Sequence, residues 1–262
     1  MKPKPKHLGP EYSVPFKDRS VAKAYRYRAP YPPVTFEILS DLITDEPRAV
    51  LDVGCGTGLI ARNLIDLVDR IDAVDFSRYM IEEGKKLPNG NHPRLRWILG
   101  SVEDVPLNPP YALVTAGLSL HWMEWDVVLP RFREVLTPNG YLAIVSYVFS
   151  PFPWDDDLKR IIPRFSTNRD YKPYDLVEEL ESRGLFQKRG SKQTAPVLYT
   201  QSLDAYIEHF HSTSSLTRRR MGRKAAEAFD QEVRDLLSGF ASDGMLECEF
   251  GAKVIWGKPL SP

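Results

Sequence analysis

Three glycines within five residues mark the stretch of this chain best suited to chemistry. Ala49-Val50-Leu51-Asp52-Val53 is a short apolar run with one acid, and it ends in Gly54-Cys55-Gly56-Thr57-Gly58 just before a helical pattern begins. Read physically, this is a buried parallel strand, a tight turn and a helix start. A backbone without Cβ atoms reaches positive φ and lets a ligand approach the main chain. The helix N-terminus beyond it offers free amides and a partial positive charge to an anionic group. The spacing restricts the ligand, because a dinucleotide fingerprint would need glycines at 54, 56 and 59, and position 59 is Leu59. A strand-to-helix turn that binds nothing is the alternative.

Val50 to Gly58, VLDVGCGTG, resembles the first motif of the class I S-adenosylmethionine-dependent methyltransferases, and the subgroup it is most similar to is the type 11 and trans-aconitate-like small-molecule enzymes. The resemblance implies an α/β fold: a Rossmann-like, seven-stranded, mostly parallel sheet with helices on both faces. It also implies S-adenosyl-L-methionine as cofactor, and assigns Asp52, Gly54, Cys55, Gly56, Thr57 and Gly58 to binding it. Asp75 ends a second short strand about twenty residues on, where a doubly wound fold places the acid that accepts from both ribose hydroxyls. An ordinary strand-end acid is the alternative. Ser77 can cap the helix that follows, and by resemblance Phe76 and Met80 cover one face of an adenine.

Further matches extend the resemblance over residues 16 to 146. The phrase from Phe16 to Pro33 is similar to an amino-terminal segment in which an arginine meets the carboxylate of the methionine half, and this assigns Arg28 and its neighbour Tyr31; a solvated surface helix is the alternative. Gly100 to Leu107 resembles a segment whose first side chain and next amide meet the adenine edge. Ser101 stands in place of the usual acid, Val102 follows it, and Glu103 is the substitute; an acidic loop is the alternative. At the end of Tyr111–Gly117, Ala116 and Gly117 face the methionine chain and His121 and Trp122 the substrate. His121 is the candidate to orient the acceptor or take its proton, although a lone histidine also serves as a structural hydrogen-bonder. Tyr147, past the fifth strand, is a secondary substrate contact or a packing residue. Ala112 replaces an acid common in the family.

The elements that must hold these residues read as a loose arm to about Lys17, a short capped helix over Ser20–Arg28, and an amphipathic helix from Val34 to Ile43. Strands follow at 49–53, 71–75, 95–99, 111–117 and 141–146, with a turn at Thr137-Pro138-Asn139-Gly140 where Asn139 tolerates a left-handed conformation. Domain boundaries follow: 1–33 an arm, 34–150 the cofactor-binding core, 151–250 a helical cap with strand six near Leu185–Arg189, and 251–262 the last strand, near Lys253–Trp256.

Composition limits the function classes. With 262 residues, 35 basic and 35 acidic side chains and 42% apolar residues, the chain reads as a globular protein without broad affinity for nucleic acid. Two cysteines, Cys55 and Cys248, far apart in sequence, argue against a disulfide and fit a reducing, cytoplasmic setting. No apolar run approaches a membrane span, and the start lacks a signal peptide's apolar segment. His209 and His211 have no partners at ligand spacing, so no metal is expected. The expected partner is a small-molecule methyl acceptor, with the protein a monomer or homodimer. Two other readings stay open: a non-catalytic cofactor-binding scaffold, and an RNA or protein methyltransferase that docks through the basic cluster Arg218 to Lys224.

Overall fold

The computed structural model describes residues 3–261; Met1, Lys2 and Pro262 lie outside it. In chain order the α-helices are α1 (Pro10–Ser13), α2 (Arg19–Ala24), α3 (Val34–Asp41), α4 (Ala61–Leu64), α5 (Arg78–Gly84), α6 (Trp125–Val135), α7 (Asp155–Phe165), α8 (Leu176–Ser182), α9 (Leu203–Phe210), α10 (Arg218–Met221) and α11 (Arg223–Ser238). The strands are β1 (Ala49–Val53), β2 (Arg70–Asp75), β3 (Leu95–Leu99), β4 (Tyr111–Gly117), β5 (Leu136–Phe149), β6 (Phe186–Gln193), β7 (Val197–Ser202) and β8 (Met245–Pro259).

Strands that are covered on both faces read as unbroken apolar runs, and β1 and β4 are of this kind, with all five residues of β1 buried. The sheet order is β3-β2-β1-β4-β5-β8-β6, with β7 pairing to β8. β1 is parallel to β2 and β4, β2 to β3, and β4 to β5, whereas β8 is antiparallel to β5, β6 and β7. One apolar layer holds Val128, Phe132, Val177 and Leu180 of α6 and α8 against the sheet, and the other holds Ile38, Leu39 and Leu64 of α3 and α4. The chain reverses direction across the sheet between β1 and β4. In open α/β sheets ligands bind at the carboxyl ends of the strands there.

The expected α/β class therefore holds, with one more strand than seven. β8 begins at Met245 rather than near 251, and its first six residues pair with β7, an edge strand without a periodic apolar signature. β6 runs on to Gln193, and β5 spans Leu136–Phe149, so the expected turn at 137–140 is strand and Asn139 is held by Asp45 instead of adopting positive φ. α8 and β6 pack into the core layer, and the cap is built from α7, β7, α9 and α11 around Trp154, Leu158, Phe229 and Val233.

The arm also differs from expectation. Residues up to Lys17 form two short 3₁₀ turns and α1, burying Leu8 and Tyr12. Lys4 donates to the carbonyl of Met123 at 3.0 Å, Asn168 to that of His7 at 3.1 Å, and Ser77 to that of Phe16 at 2.7 Å. Asp18 caps α2 by accepting from the Ser20 amide.

Gly58 has φ +73°, and a Cβ there would lie 2.5 Å from the Trp97 ring, whose Nε1 is anchored on the Gly90 carbonyl at 2.8 Å. The third glycine of the turn is thus required by packing. Gly58→Ala is expected to lower stability by about 1–3 kcal/mol in denaturant titration, because the indole has no free direction in which to yield.

Candidate active site

A cavity of about 680 Å³ opens at the carboxyl ends of β1, β2 and β4, within the size range of small-ligand sites. The glycine turn forms its floor. Gly54 and Gly56 have φ of +59° and +56°, and a Cβ on Gly56 would sit 3.3 Å from the Tyr25 ring. At Gly54 a Cβ would meet the Ser119 Cβ at 2.6 Å, and Ser119 is itself fixed by donating to the Val53 carbonyl at 2.6 Å.

Two buried carboxylates hold this floor. Asp75 accepts from the Gly56 amide at 2.8 Å through Oδ2 and from the Ser77 amide at 2.7 Å through Oδ1. Burial nevertheless raises its pKa to about 6, the two amides opposing that rise. Asp52 accepts from the Thr115 hydroxyl at 2.9 Å and the Ala61 amide at 3.2 Å. Burial raises it to about 7, with Thr115 and Ala61 pulling it down and the neighbouring Asp75 adding to the rise. Both carboxylates line the cavity. The third, Glu103, accepts from the Ser101 hydroxyl and from the Glu124 amide at 3.0 Å.

Of the residues singled out from the sequence, Arg28, Tyr31, Asp52, Gly54, Cys55, Gly56, Thr57, Asp75, Phe76, Met80, Ser101, Val102, Glu103, Gly117, Trp122 and Tyr147 all line this one cavity. Four do not. Gly58 faces Trp97, as described. Ser77 caps α5 and holds the arm through Phe16. Ala116 points into the apolar layer on the opposite side of β4 from Gly117, as strand alternation requires. His121 is half-buried beside Trp122, ring centroids 4.5 Å apart, and is not part of the lining. Its imidazole is pushed down to about 3 by burial, with Lys4, Arg28 and His7 adding to the effect.

Arg28 lines the cavity but is directed elsewhere than the resemblance implies. Its Nε and one Nη donate to the hydroxyl and carbonyl of Ser212, each at 2.8 Å, and its guanidinium lies 4.2 Å from the Tyr25 ring centroid. It ties the arm to the cap. The basic cluster is likewise engaged: Arg218 pairs with Glu208 and Asp230 at 2.8 Å, Arg219 with Asp18 at 3.5 Å, and Arg220 lies over Tyr12. Of the cap aromatics, Trp154 and Tyr206 are core, Tyr171 is exposed, and Tyr199 lines the cavity.

Sequence reading alone missed several lining residues. Phe16 and Tyr25 stood inside the amino-terminal phrase but were given no role there. Phe16 packs on Trp122 and Tyr25 with centroids 5.8 and 6.3 Å apart, closing the cavity from the arm side. Leu118 lines it with φ +52°, and Tyr199 arrives on β7 from over eighty residues beyond β4. Nothing local marks either one. Among the described residues no cluster of His, Cys, Asp or Glu could hold a metal, and no helix is long and apolar enough to cross a membrane.

Fold and cavity together define an open α/β protein with its ligand site at the carboxyl rim, over a glycine turn. Residues 50–140 match the family model described as a methyltransferase domain. A malonyl-[acyl-carrier protein] O-methyltransferase of Halalkalibacterium halodurans is 34% identical over 110 residues, which is 39% of this chain and 40% of that protein. An uncharacterised methyltransferase of Schizosaccharomyces pombe is 28% identical over 199 residues, 73% of this chain and 75% of that one. Among solved structures, a type II methyltransferase from Anaeromyxobacter dehalogenans superposes with TM-score 0.62 at 22% identity, covering 90% of this chain and 99% of that one. A methyltransferase from Thiobacillus denitrificans bound to S-adenosyl-L-homocysteine gives 0.50 at 17% identity, covering 92% and 97%. Residues 50–140 are thus those of a methyltransferase domain, and the chain spans about 40% of the length of the malonyl-[acyl-carrier protein] O-methyltransferase that it matches.

The raised carboxylates predict a pH signature. Asp52 and Asp75 hold their protons to higher pH when folded than when unfolded, so their combined contribution to stability declines from about pH 4 to about pH 7 and is constant above. Comparing the protein with its Asp52→Asn/Asp75→Asn variant by denaturant titration across that range should show a falling difference of up to about 1.4 kcal/mol per pH unit for each group.

Proposed function

We propose that this chain transfers the methyl group of S-adenosylmethionine to an oxygen, nitrogen or carbon nucleophile of a small molecule held in the rim cavity. The observation that carries this reading is the convergence in one cavity of the glycine turn, the buried Asp75 and an aromatic acceptor side. The site fits the cofactor: positive φ at Gly54 and Gly56 leaves main chain where a side chain would intrude, and each Asp75 oxygen keeps a lone pair beyond its amide.

In this reading Asp75 accepts from the ribose hydroxyls, Phe76 and Met80 border the adenine, Ser101, Val102 and Glu103 meet its edge, and Gly117 leaves room for the methionine chain. When bound, S-adenosylmethionine supplies an electrophilic methyl group on a sulfonium sulfur. Trp122 and Tyr147 border the acceptor, and holding the nucleophile in line at contact distance supplies most of the acceleration. Phe16 and Tyr25 of the arm exclude water from above. No proton-transfer role is assigned to His121, since it does not border the cavity. The malonyl-[acyl-carrier protein] relative methylates an oxygen, which supports an oxygen acceptor here. Engagement of the arginine cluster by carboxylates and an aromatic ring favours a small molecule over a nucleic acid.

Two measurements test this reading. Asp75→Ala should weaken calorimetric binding of S-adenosylhomocysteine by about 1–3 kcal/mol, and binding to the parent protein should weaken as pH falls below about 6, where Asp75 takes up a proton. Unchanged binding would move the ribose elsewhere. Incubation with methyl-labelled cofactor and a cell extract should put the label in low-mass products; label in RNA or protein would overturn the small-molecule assignment.

A further inference from the structure

We propose that the acceptor has an aromatic or alkyl body, and that this body lies on a wall of rings running from the cavity to the surface across the ends of β5, β8 and β7. The proposal rests on the methyltransferase reading and adds to it the class of acceptor.

The wall follows from strand alternation, which puts residues two apart on the same face. Tyr147 and Phe149 of β5 lie on one face with centroids 5.6 Å apart, and Tyr31 stacks on Tyr147 at 4.6 Å and 25°. Phe250 of β8 pairs with Phe149 and with Val197 of β7, placing all three on that face. The Phe250 ring is 5.8 Å from Tyr147, 6.2 Å from Phe149 and 5.7 Å from Tyr199. Three of these rings, Tyr31, Tyr147 and Tyr199, line the cavity. Phe250 is buried behind these rings, while Phe149 is 56% and Val197 36% exposed, so the apolar face reaches water next to the residues that line the cavity.

Charge is kept off this face. Glu249 and Lys253 of β8 alternate with Phe250 and Ala252 and point to the other side. The Tyr147 hydroxyl donates to the Ala29 carbonyl at 2.5 Å, which leaves the ring and not the hydroxyl as its contact surface. Exposed apolar surface beside a cavity is the kind of surface that takes the apolar part of a ligand. From Tyr147 to Phe149 the strand advances about 7 Å, the length of a short alkyl chain beyond one ring.

The test uses 4-ethyl-, 4-butyl- and 4-hexylphenol, titrated calorimetrically into protein saturated with S-adenosylhomocysteine. Affinity should rise about three- to fourfold per methylene. Phe149→Asp should flatten the series between butyl and hexyl, Phe149→Leu should restore it, and Leu198→Asp, on the opposite face of β7, should leave it unchanged. Affinity independent of chain length, or a slope untouched by Phe149→Asp, overturns the wall. Titration of S-adenosylhomocysteine by itself separates the two readings: if it binds and the phenols show no slope, only the wall fails, whereas its failure to bind overturns the cofactor reading and this one with it.

Discussion

The rim of this protein depends on a carboxylate buried where its charge is unfavourable. Asp75 is almost out of contact with water, yet it bridges two turns, accepting from the amide of Gly56 after β1 and from that of Ser77 after β2. Those two bonds lock adjacent strand ends to one another. The cost of burying the group shows in its raised pKa, and Asp52 repeats the arrangement one strand over, joining β4 to the start of α4. The glycines, the helix starts and the cavity floor take their positions from these two acids.

Above the floor, three segments distant in sequence meet. The arm is held to the core by Ser77, and to the cap by Arg28 on Ser212 and Arg219 on Asp18. Phe16 and Tyr25 are carried into the cavity by those ties. A cavity with a polar floor and an aromatic roof suits a ligand whose two ends differ in character, in keeping with the charged cofactor and less polar acceptor proposed above.

Much of this was legible in the sequence, for local reasons. A parallel strand covered on both faces must be an apolar run, so β1, β2 and β4 announce themselves, and the glycine turn with Asp75 after β2 points to the rim. Where alternation or packing decides, the sequence is silent. Ala116 and Gly117 are neighbours, but only one can face the ligand. Gly58 reads as part of the turn, while its absence of a side chain serves Trp97. The arm to Lys17 looked loose because its ordering contacts are made by residues far along the chain, as with Lys4 and Met123 or His7 and Asn168. β7 and Tyr199 were invisible because an exposed edge strand has no apolar period to display.

β8 serves two bodies at once. Its first residues complete the cap beside β7 and its last lie between β5 and β6, with no break in the strand between them. A strand has no joint: it transmits torsion along its length but does not fold back on itself while its pairing persists, and at Phe250 it is paired to β7 and to β5 at once. The cap is therefore mechanically an extension of the sheet, like a bracket forged from the same bar, and it twists with the core as one piece. Whatever freedom the cavity needs to admit and release its ligands must be found in the arm, which is fastened by side chains instead of strand pairing.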